Sequence, residues 1–325
     1  MFTLEQRIKN EENLMEIFAG TAGWSYADWY GPFYPKKKEK NFSELEFYSK
    51  FFDIVEVNST FYRLFPPSAA EKWLADVEKN PRFVFIVKLF KEFTHGKRRR
   101  DEEFVKNREI FLEFLSPLIE HRKLGGILVQ FSEYYGESST AREYISLLLD
   151  EFHDYPLFFE LRHTSWYTER PKEFFHQNEI NVAVIDQPQL EGMVGFETEV
   201  LGKIAYVRLH GRNSEMWQLG RENLRQGKEG DKPDRNARYN YIYNNSELDE
   251  IEAKLLSVRD KCSRMYLILN NHPLGKAVVN ALQLVSRLRG GEEVKAPDTV
   301  IRFFPELAEI TKSTNVSQPG DLFGE

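Results

Sequence analysis

The sequence predicts an α/β protein folded as a (β/α)8 barrel of the TIM type, with one irregular or missing helix between the sixth and seventh strands. Short runs of β-branched and aromatic residues alternate with longer amphipathic, charged stretches, which is typical of βα units. There are eight such runs, the number that closes a barrel. Polar residues also cluster where these runs end. A doubly wound open sheet is the competing architecture, but no glycine-rich dinucleotide fingerprint supports it.

The strands follow one another in a regular order along the chain. The predicted strands are residues 17–23, 53–58, 83–89, 126–131, 157–162, 182–186, 204–210 and 265–270. Amphipathic helical patterns follow most of them, and Ser43, Ser68 and Pro273 are suited to helix starts. Residues 187–202 are too short and glycine-rich for a proper helix, and the connection 211–246 is long and polar before it leads into one.

Three regions differ in character. Residues 1–16 form a charged N-terminal extension, residues 17–289 a single barrel domain, and residues 290–325 a C-terminal extension that we expect to be partly disordered.

Composition limits the classes of protein that this chain can belong to. The chain has 325 residues, 41% of them hydrophobic, and a formal net charge of -7, which is unusual for a dedicated non-specific nucleic-acid binder. A locally basic site remains possible. The single cysteine, Cys262, rules out an intramolecular disulfide framework and fits a reducing compartment. The N-terminus is too charged for a signal peptide, and no apolar run approaches the roughly 18 residues of a membrane span. We therefore expect a cytoplasmic protein without a membrane partner.

Charged side chains recur at the C-terminal ends of the predicted strands. In AYVRLHGRN (205–213), Arg208 and His210 alternate with apolar residues and therefore share one face of the strand. The pairs Glu56/Asn58 and Glu160/Arg162 repeat this spacing. Active sites of such barrels lie at the C-terminal rim, so this pattern predicts a polar site in the barrel mouth. The alternative is a structural layer in which carboxylates only neutralise neighbouring cations.

The residue types suggest roles within this predicted site. Carboxylates and imidazoles serve general acid and base chemistry, and guanidinium groups bind carboxylate or phosphate oxygens in a bidentate manner. The loops after strands seven and eight are a common phosphate site, and the second opens a helix N-terminus. We predict as catalytic residues Glu56, Glu160, Asp186 and His210. We predict as anion-binding residues Lys88, Arg162, Arg208, Arg212, Asn213, Asn271 and Lys276. We predict as further pocket residues Trp24, Asn58, His95, Gln130, His163, Tyr239 and Asn270.

The cofactor cannot be identified from the sequence. A divalent metal on the carboxylates is possible but not favoured, because no HExxH or paired-cysteine motif is present and the neighbouring arginines would repel a cation.

Nine ordered segments resemble one known family. They are GTAGWSYADWYGPFYP, VEVNSTFYR, VKLFKEFTH, LGGILVQF, FELRHTSW, DQP, YVRLHGRN, RYNYIY and NNHPLGKAVVNALQL. Together they resemble the YecE-like family, also called domain of unknown function 72, over roughly residues 17–289. The resemblance implies a (β/α)8 barrel and leaves the activity open. The chain departs from the family in its N-terminal extension, an enlarged loop at 218–238 and the C-terminal tail.

Two functions from different classes remain. We expect an enzyme, of the hydrolase, lyase or isomerase class, that acts on a sugar phosphate or a nucleic-acid phosphodiester. Replacing Arg208 or Glu160 with Ala should then abolish anion binding or turnover and leave folding largely intact. The alternative is a non-catalytic accessory protein in DNA maintenance. Its tail, QPGDLFGE, loosely resembles peptides that dock on bacterial sliding clamps, with Gln318, Leu322 and Phe323 as anchors.

Overall fold

The structure, a computed structural model, describes residues 15–197, 203–226 and 236–314. Its main sheet contains nine strand segments within this part of the chain, and all of their pairings are parallel. In chain order the segments are Glu16–Ala22, Ile54–Val57, Val84–Lys88, Leu124–Gln130, Leu157–Glu160, Asn181–Val182, Val184–Asp186, Ile204–Leu209 and Arg264–Leu269.

The sheet closes through the sixth strand, which consists of two short pieces. Asn181–Val182 pairs with the fifth strand, and Val184–Asp186 pairs with the seventh. Between them, the backbone N–H of Ala183 donates to the carbonyl of Phe159. Counting the two pieces as one strand gives eight strands in a closed parallel barrel, so the predicted fold class is confirmed.

Helices connect most of the strands. The α-helices of the described residues are Glu44–Tyr48, Pro67–Asp76, Lys91–His95, Glu102–Glu120, Ser139–Glu151, Glu169–Gln177, Ser214–Arg225, Asn245–Leu256, Lys276–Leu288 and Asp298–Phe303. Residues 187–197, after the sixth strand, contain no helix, in agreement with the predicted irregular connection. None of the helices in the described residues has the length and apolar composition of a membrane span.

Four details of the helices can be compared with the sequence-based expectations. Helix Ser214–Arg225 lies in the long polar connection, where no helix was predicted. Ser43 caps its helix by accepting from the N–H of Glu46, as predicted. Ser68 does not act as a cap, because its helix already begins at Pro67. Pro273 lies in a 3-10 turn immediately before helix Lys276–Leu288.

The barrel interior is apolar along most of its strands and polar at their C-terminal ends. Side chains that face inward from the strands alternate with side chains that pack against the helices. The inward apolar cluster includes Phe18, Ile54, Ile86, Leu128, Phe158, Ile185, Tyr206, Tyr266 and Ile268. Two residues further along their strands, the same inward rows continue with Glu56, Lys88, Gln130, Glu160, Arg208 and Asn270. The strand period therefore brings polar groups from six strands to the C-terminal mouth.

The segment after the barrel packs against it. Val294–Pro297 and Thr311–Thr314 form a small parallel sheet, and Val294, Val300 and Leu307 are buried in the outer hydrophobic core. The hydroxyl of Thr299 donates to the carbonyl of Phe33 at 2.7 Å. Residues 290–314 are thus attached to the barrel, whereas the predicted docking residues Gln318, Leu322 and Phe323 lie outside the described residues.

Candidate active site

Arg208 lies at the centre of the polar layer in the barrel mouth. Its Nη2 donates to Oε1 of Glu56 at 2.6 Å, and its Nη1 donates to Oε2 of Glu160 and, at 3.0 Å, to Oε1 of Gln130. Arg208 is only 1% exposed, and both carboxylates are fully buried. One guanidinium therefore joins groups from the second, fourth and fifth strands.

Arg162 forms a second charged pair beside the first. Its Nε donates to Oε1 of Glu160 at 2.5 Å, and its Nη2 lies 3.2 Å from Nε2 of His210. Burial alone acts to raise the pKa of Glu160, but the charges of Arg162 and Arg208 outweigh it and hold that pKa well below its usual range. Glu160 therefore stays ionised at neutral pH.

His210 is a neutral member of this layer. Burial, together with the neighbouring charge of Arg162, lowers its pKa to about 3. Because a guanidinium can only donate, Nε2 of His210 accepts from Arg162. Nδ1 lies 2.9 Å from the side-chain amide of Asn270 on the eighth strand.

Lys88 differs from the two arginines in its partners. Its Nζ donates to Oε1 of Gln130 at 2.9 Å and lies 4.3 Å from the centre of the Phe61 ring. No carboxylate of the described residues forms an ion pair with it, because Glu56 and Glu160 face the guanidinium groups. Burial and the charge of Arg208 lower the pKa of Lys88 to about 7. The residue as a whole is half-buried, and its amine can change its charge near neutral pH.

Tyr206 is a site residue that the sequence analysis missed. Its hydroxyl donates to Oε2 of Glu56 at 2.5 Å. Burial, reinforced by Glu56, raises the pKa of Tyr206 well above its ordinary value, so the group remains a phenol. The available signal was its position, since Tyr206 precedes Arg208 by two residues and so lies in the same inward row.

Aromatic side chains form one wall of the mouth. The Trp217 ring lies 6.4 Å from His210, and the Arg162 guanidinium lies 5.4 Å from the Trp217 ring centre. Tyr239 lies 6.2 Å from His210 and 5.7 Å from His272, which stacks on Tyr26. Trp217 is 3% exposed, and its buried Nε1 has no hydrogen-bond partner among the described residues.

Asp186 and Arg212 face away from this cluster. Ile185 points into the barrel, so its neighbour Asp186 points to the opposite side. Arg212 donates to both oxygens of Asp186 at 2.7–3.1 Å, and the hydroxyl of Tyr243 donates to Asp186 at 2.6 Å. Arg212 also bonds Glu250 on helix Asn245–Leu256 at 2.9 Å. These two predicted site residues thus form a separate ion pair between the barrel and its helices.

Three predicted anion-binding residues also contact protein groups outside the central cluster. Asn213 caps helix Ser214–Arg225, since its Oδ1 accepts from the N–H of Met216 at 3.4 Å. The Asn271 amide donates to Oδ1 of Asn280 at 2.8 Å, and Lys276 donates to Oδ1 of Asn240 at 2.7 Å. The shared anion site predicted for the last two loops is therefore not assembled from these side chains in this structure.

The remaining predicted pocket residues lie around the mouth. His163 contacts the hydroxyl of Ser165 at 2.8 Å, and the Trp24 ring lies 5.6 Å from the Trp73 ring. Asn58 is half-buried just past the second strand. His95 packs edge-on against Phe61 at 5.1 Å, so a single ring separates it from Lys88. Across residues 15–197, 203–226 and 236–314, no three His, Cys, Asp or Glu side chains are grouped to hold a metal ion.

Comparison with known proteins identifies a family and relatives that match most of the chain. A family model described as "Protein of unknown function DUF72" matches residues 18–301. The UPF0759 protein YunF of Bacillus subtilis (strain 168) is 29% identical over 281 residues, which cover 84% of this chain and 94% of that protein.

Two solved structures are similar over the same region. A DUF72 family protein of Thermotoga maritima MSB8 superposes with a TM-score of 0.71 at 28% identity, covering 84% of this chain and 99% of that one. A DUF72 family protein of Enterococcus faecalis V583 gives 0.70 at 27% identity, covering 84% and 95%.

Proposed function

Because the chain belongs to the DUF72 family, as its motifs predicted, and that family is described only as of unknown function, we propose a function from the barrel mouth itself. The protein is an enzyme that binds a small phosphate-bearing substrate beside Arg162 and Lys88 and uses Lys88 for proton transfer. The observation that carries this proposal is the Lys88 amine, which faces the mouth with an amide as its partner instead of a carboxylate.

The charge balance of the mouth supports an anionic ligand. Arg208 and Arg162 offset the two buried carboxylates, Glu56 and Glu160. A protonated Lys88 then leaves one positive charge in excess. Since an uncompensated charge is costly in a buried site, an anion that binds beside Lys88 would stabilise its protonated form.

The position of the cations favours a small substrate over a nucleic-acid duplex. Arg162 is 6% exposed and Lys88 is half-buried, so a phosphate must enter the barrel mouth to touch them. A terminal phosphate on a small molecule can do so, whereas the backbone of a duplex stays at the surface. The aromatic side chains Trp217 and Tyr239 would flank such a ligand.

The acid/base role is best filled by Lys88. General acid/base groups work best when their pKa lies near the working pH. The pKa of Lys88 is about 7, whereas that of Glu160 lies well below its usual range. In this proposal Glu56 and Glu160 orient the guanidinium groups, and His210 accepts from Arg162 to hold it in place.

Sulfate binding at two pH values tests the proposal, because sulfate mimics phosphate and stays a dianion. Sulfate should bind roughly thirty-fold more tightly at about pH 6 than at about pH 8.5, as the protonated fraction of a group with a pKa of about 7 changes by that factor. Isothermal titration calorimetry at constant ionic strength measures this. The charged groups that influence the pKa of Lys88, and therefore this pH dependence, are Arg208 and Arg162, which lower it, and Glu56 and Glu160, which raise it.

Lys88→Met should abolish this pH dependence, and Lys123→Met is the matched control. Lys123, just before the start of the fourth strand, is also half-buried with a pKa lowered by burial. Its Nζ, however, donates to the carbonyls of Asn80 and Pro81, away from the barrel mouth. Equal sulfate binding by wild type and Lys88→Met, or no binding by wild type, would refute the proposal. Sulfate displaced more effectively by DNA than by small phosphate esters would assign the site to a nucleic acid.

A further inference from the structure

We propose that the Lys88 amine is a nucleophile that condenses with the carbonyl carbon of a phosphorylated aldehyde or ketone to form an imine linking substrate and protein. This inference rests on the proposed function, since it names the substrate class of the same site. It adds a covalent step that anion binding and proton transfer do not require.

The geometry around Lys88 suits a nucleophile. Lys88 is the last residue of the third strand and lies in the inward row above Ile86, so its amine faces the mouth. The Phe61 ring covers one side of Nζ, which lies 4.3 Å from the ring centre. The Gln130 amide oxygen accepts a hydrogen bond from Nζ. An amide acceptor leaves the amine free to lose its proton, unlike a carboxylate partner, which would hold it as an ammonium ion.

The neighbouring arginines explain why Lys88 is not paired with either buried carboxylate. Arg208 donates hydrogen bonds to both Glu56 and Glu160, and Arg162 donates to the other carboxylate oxygen of Glu160. A guanidinium group is a permanent positive charge under physiological conditions. The network therefore supplies a fixed positive environment next to a lysine that can be neutral.

This environment changes the population of the reactive form. Burial first, and Arg208 second, bring the pKa of Lys88 to about 7, so about half of the amine is neutral at pH 7. An ordinary lysine, with a pKa near 10.4, is neutral in less than about 0.1% of molecules at that pH. A neutral amine is the form that attacks a carbonyl carbon.

The step balances without an added oxidant or reductant. The nitrogen lone pair attacks the carbonyl carbon, and the carbonyl π electrons move to oxygen, which takes the proton that nitrogen releases. The resulting carbinolamine loses its hydroxyl group as water, using a proton from solvent, while the nitrogen lone pair forms the C=N bond. The iminium ion loses one proton, or keeps it and acts as an electron sink for the next step.

Other groups of the mouth would hold the rest of the substrate. Arg162 is close enough to lower the pKa of Lys88, and its charge suits the phosphate group. In the covalent step the phosphate lies against Arg162, and the carbonyl carbon, not the phosphate, lies next to the amine; sulfate, which has no carbonyl group, lies beside the amine itself. The Trp217 indole N–H is buried without a partner in the described residues, beside Arg162 and His210. A buried N–H without an acceptor is costly, and a substrate oxygen would satisfy it.

Borohydride trapping tests the inference on the full chain. The protein is incubated at about pH 7 with dihydroxyacetone phosphate and sodium borohydride, which reduces an imine to a stable secondary amine. Intact mass and peptide mapping should show one adduct, on Lys88, at least about ten-fold above the adduct on any surface lysine of ordinary pKa, given the larger neutral fraction of Lys88. Glycerol 3-phosphate, which has no carbonyl group, should give no adduct.

Variants separate the covalent step from binding and folding. Lys88→Met and Lys88→Arg should give no adduct, while Lys123→Met should retain it; the arginine variant keeps the charge but cannot form the imine. Labelling spread over surface lysines, or an adduct that persists in Lys88→Arg, overturns the inference. If sulfate binds with the expected pH dependence but no adduct forms, only the covalent step is wrong. If sulfate does not bind either, the proposed function fails as well.

Discussion

Arg208 connects more polar groups of the barrel mouth than any of its neighbours there. Its guanidinium joins Glu56, Glu160 and Gln130, and it is almost fully buried. Buried carboxylates in such contacts are strongly dependent on their cation, because its removal leaves uncompensated charge in a low-dielectric site. This contact pattern changes the expectation from sequence that the fold tolerates loss of Arg208.

Arg208→Met should therefore lower the free energy of unfolding by about 3–5 kcal/mol, measured by urea denaturation at neutral pH. Arg264→Met is the control. Arg264 pairs with Glu16 at 2.7 Å, but its side chain is 40% exposed, and exposed pairs contribute about 0–1 kcal/mol. A loss of less than 1 kcal/mol in Arg208→Met would contradict the network described for this residue.

At the scale of secondary-structure elements, the segment that follows the barrel packs against it. Strand Val294–Pro297 and helix Asp298–Phe303 lie beyond the predicted domain end at 289, and the family match continues to residue 301. Leu307, in the turn Pro305–Glu309, is fully buried in the outer core of the barrel. Buried apolar contacts of this kind make residues 290–314 part of the structural unit around the barrel.

Leu307→Ala should accordingly cost about 2–5 kcal/mol of unfolding free energy, because it removes a fully buried side chain and leaves a cavity. Phe303→Ala, in the same segment but 53% exposed, should stay within about 1 kcal/mol of wild type. Thermal or urea unfolding of both variants checks this. Similar losses in the two variants would mean that the segment does not depend on the contact of Leu307 with the core.

At the scale of the whole molecule, the distribution of charge bears on whether the barrel binds a small ligand or a nucleic acid. The chain has a net charge of -7, and its cationic side chains at the mouth are directed inward instead of forming a basic outer face. That arrangement supports a small ligand more than a nucleic-acid surface. Association with the DNA-maintenance machinery would then depend on the tail, for which the prediction still rests on sequence alone.

If the tail docks on a sliding clamp, the full chain should retain a purified bacterial clamp in a pull-down. Replacing the two apolar anchors, in Leu322→Ala with Phe323→Ala, should abolish retention, because such docking depends on burial of those side chains. Asp321→Asn, immediately before the two apolar anchors, is the control and should retain the clamp. No difference between the double variant and wild type would exclude this partner.

The sequence by itself determined the fold class, the family and the inward rows of the second, third, fourth, fifth and seventh strands. Period-two alternation makes these rows visible without coordinates, which is why the sequence predicts Glu56, Glu160 and Arg208 in one layer, and in the structure Arg208 bonds both carboxylates. Helix Ser214–Arg225 was missed because most of its residues are polar, and its buried Trp217 becomes a wall of the site only when the helix packs over the barrel.

Only the tertiary structure decided which charges meet. In the sequence, Asp186 and Arg212 have the same pattern as the residues of the mouth. The sixth strand, however, is split around Ala183, and its two pieces pair with different neighbours. Which of its residues point inward depends on that pairing. Likewise, Lys88 is chemically distinct only because Arg208 and Arg162 hold both carboxylates. Alternation along a strand is a local property, whereas the partner and the pKa of a buried charge depend on side chains brought together from distant parts of the chain.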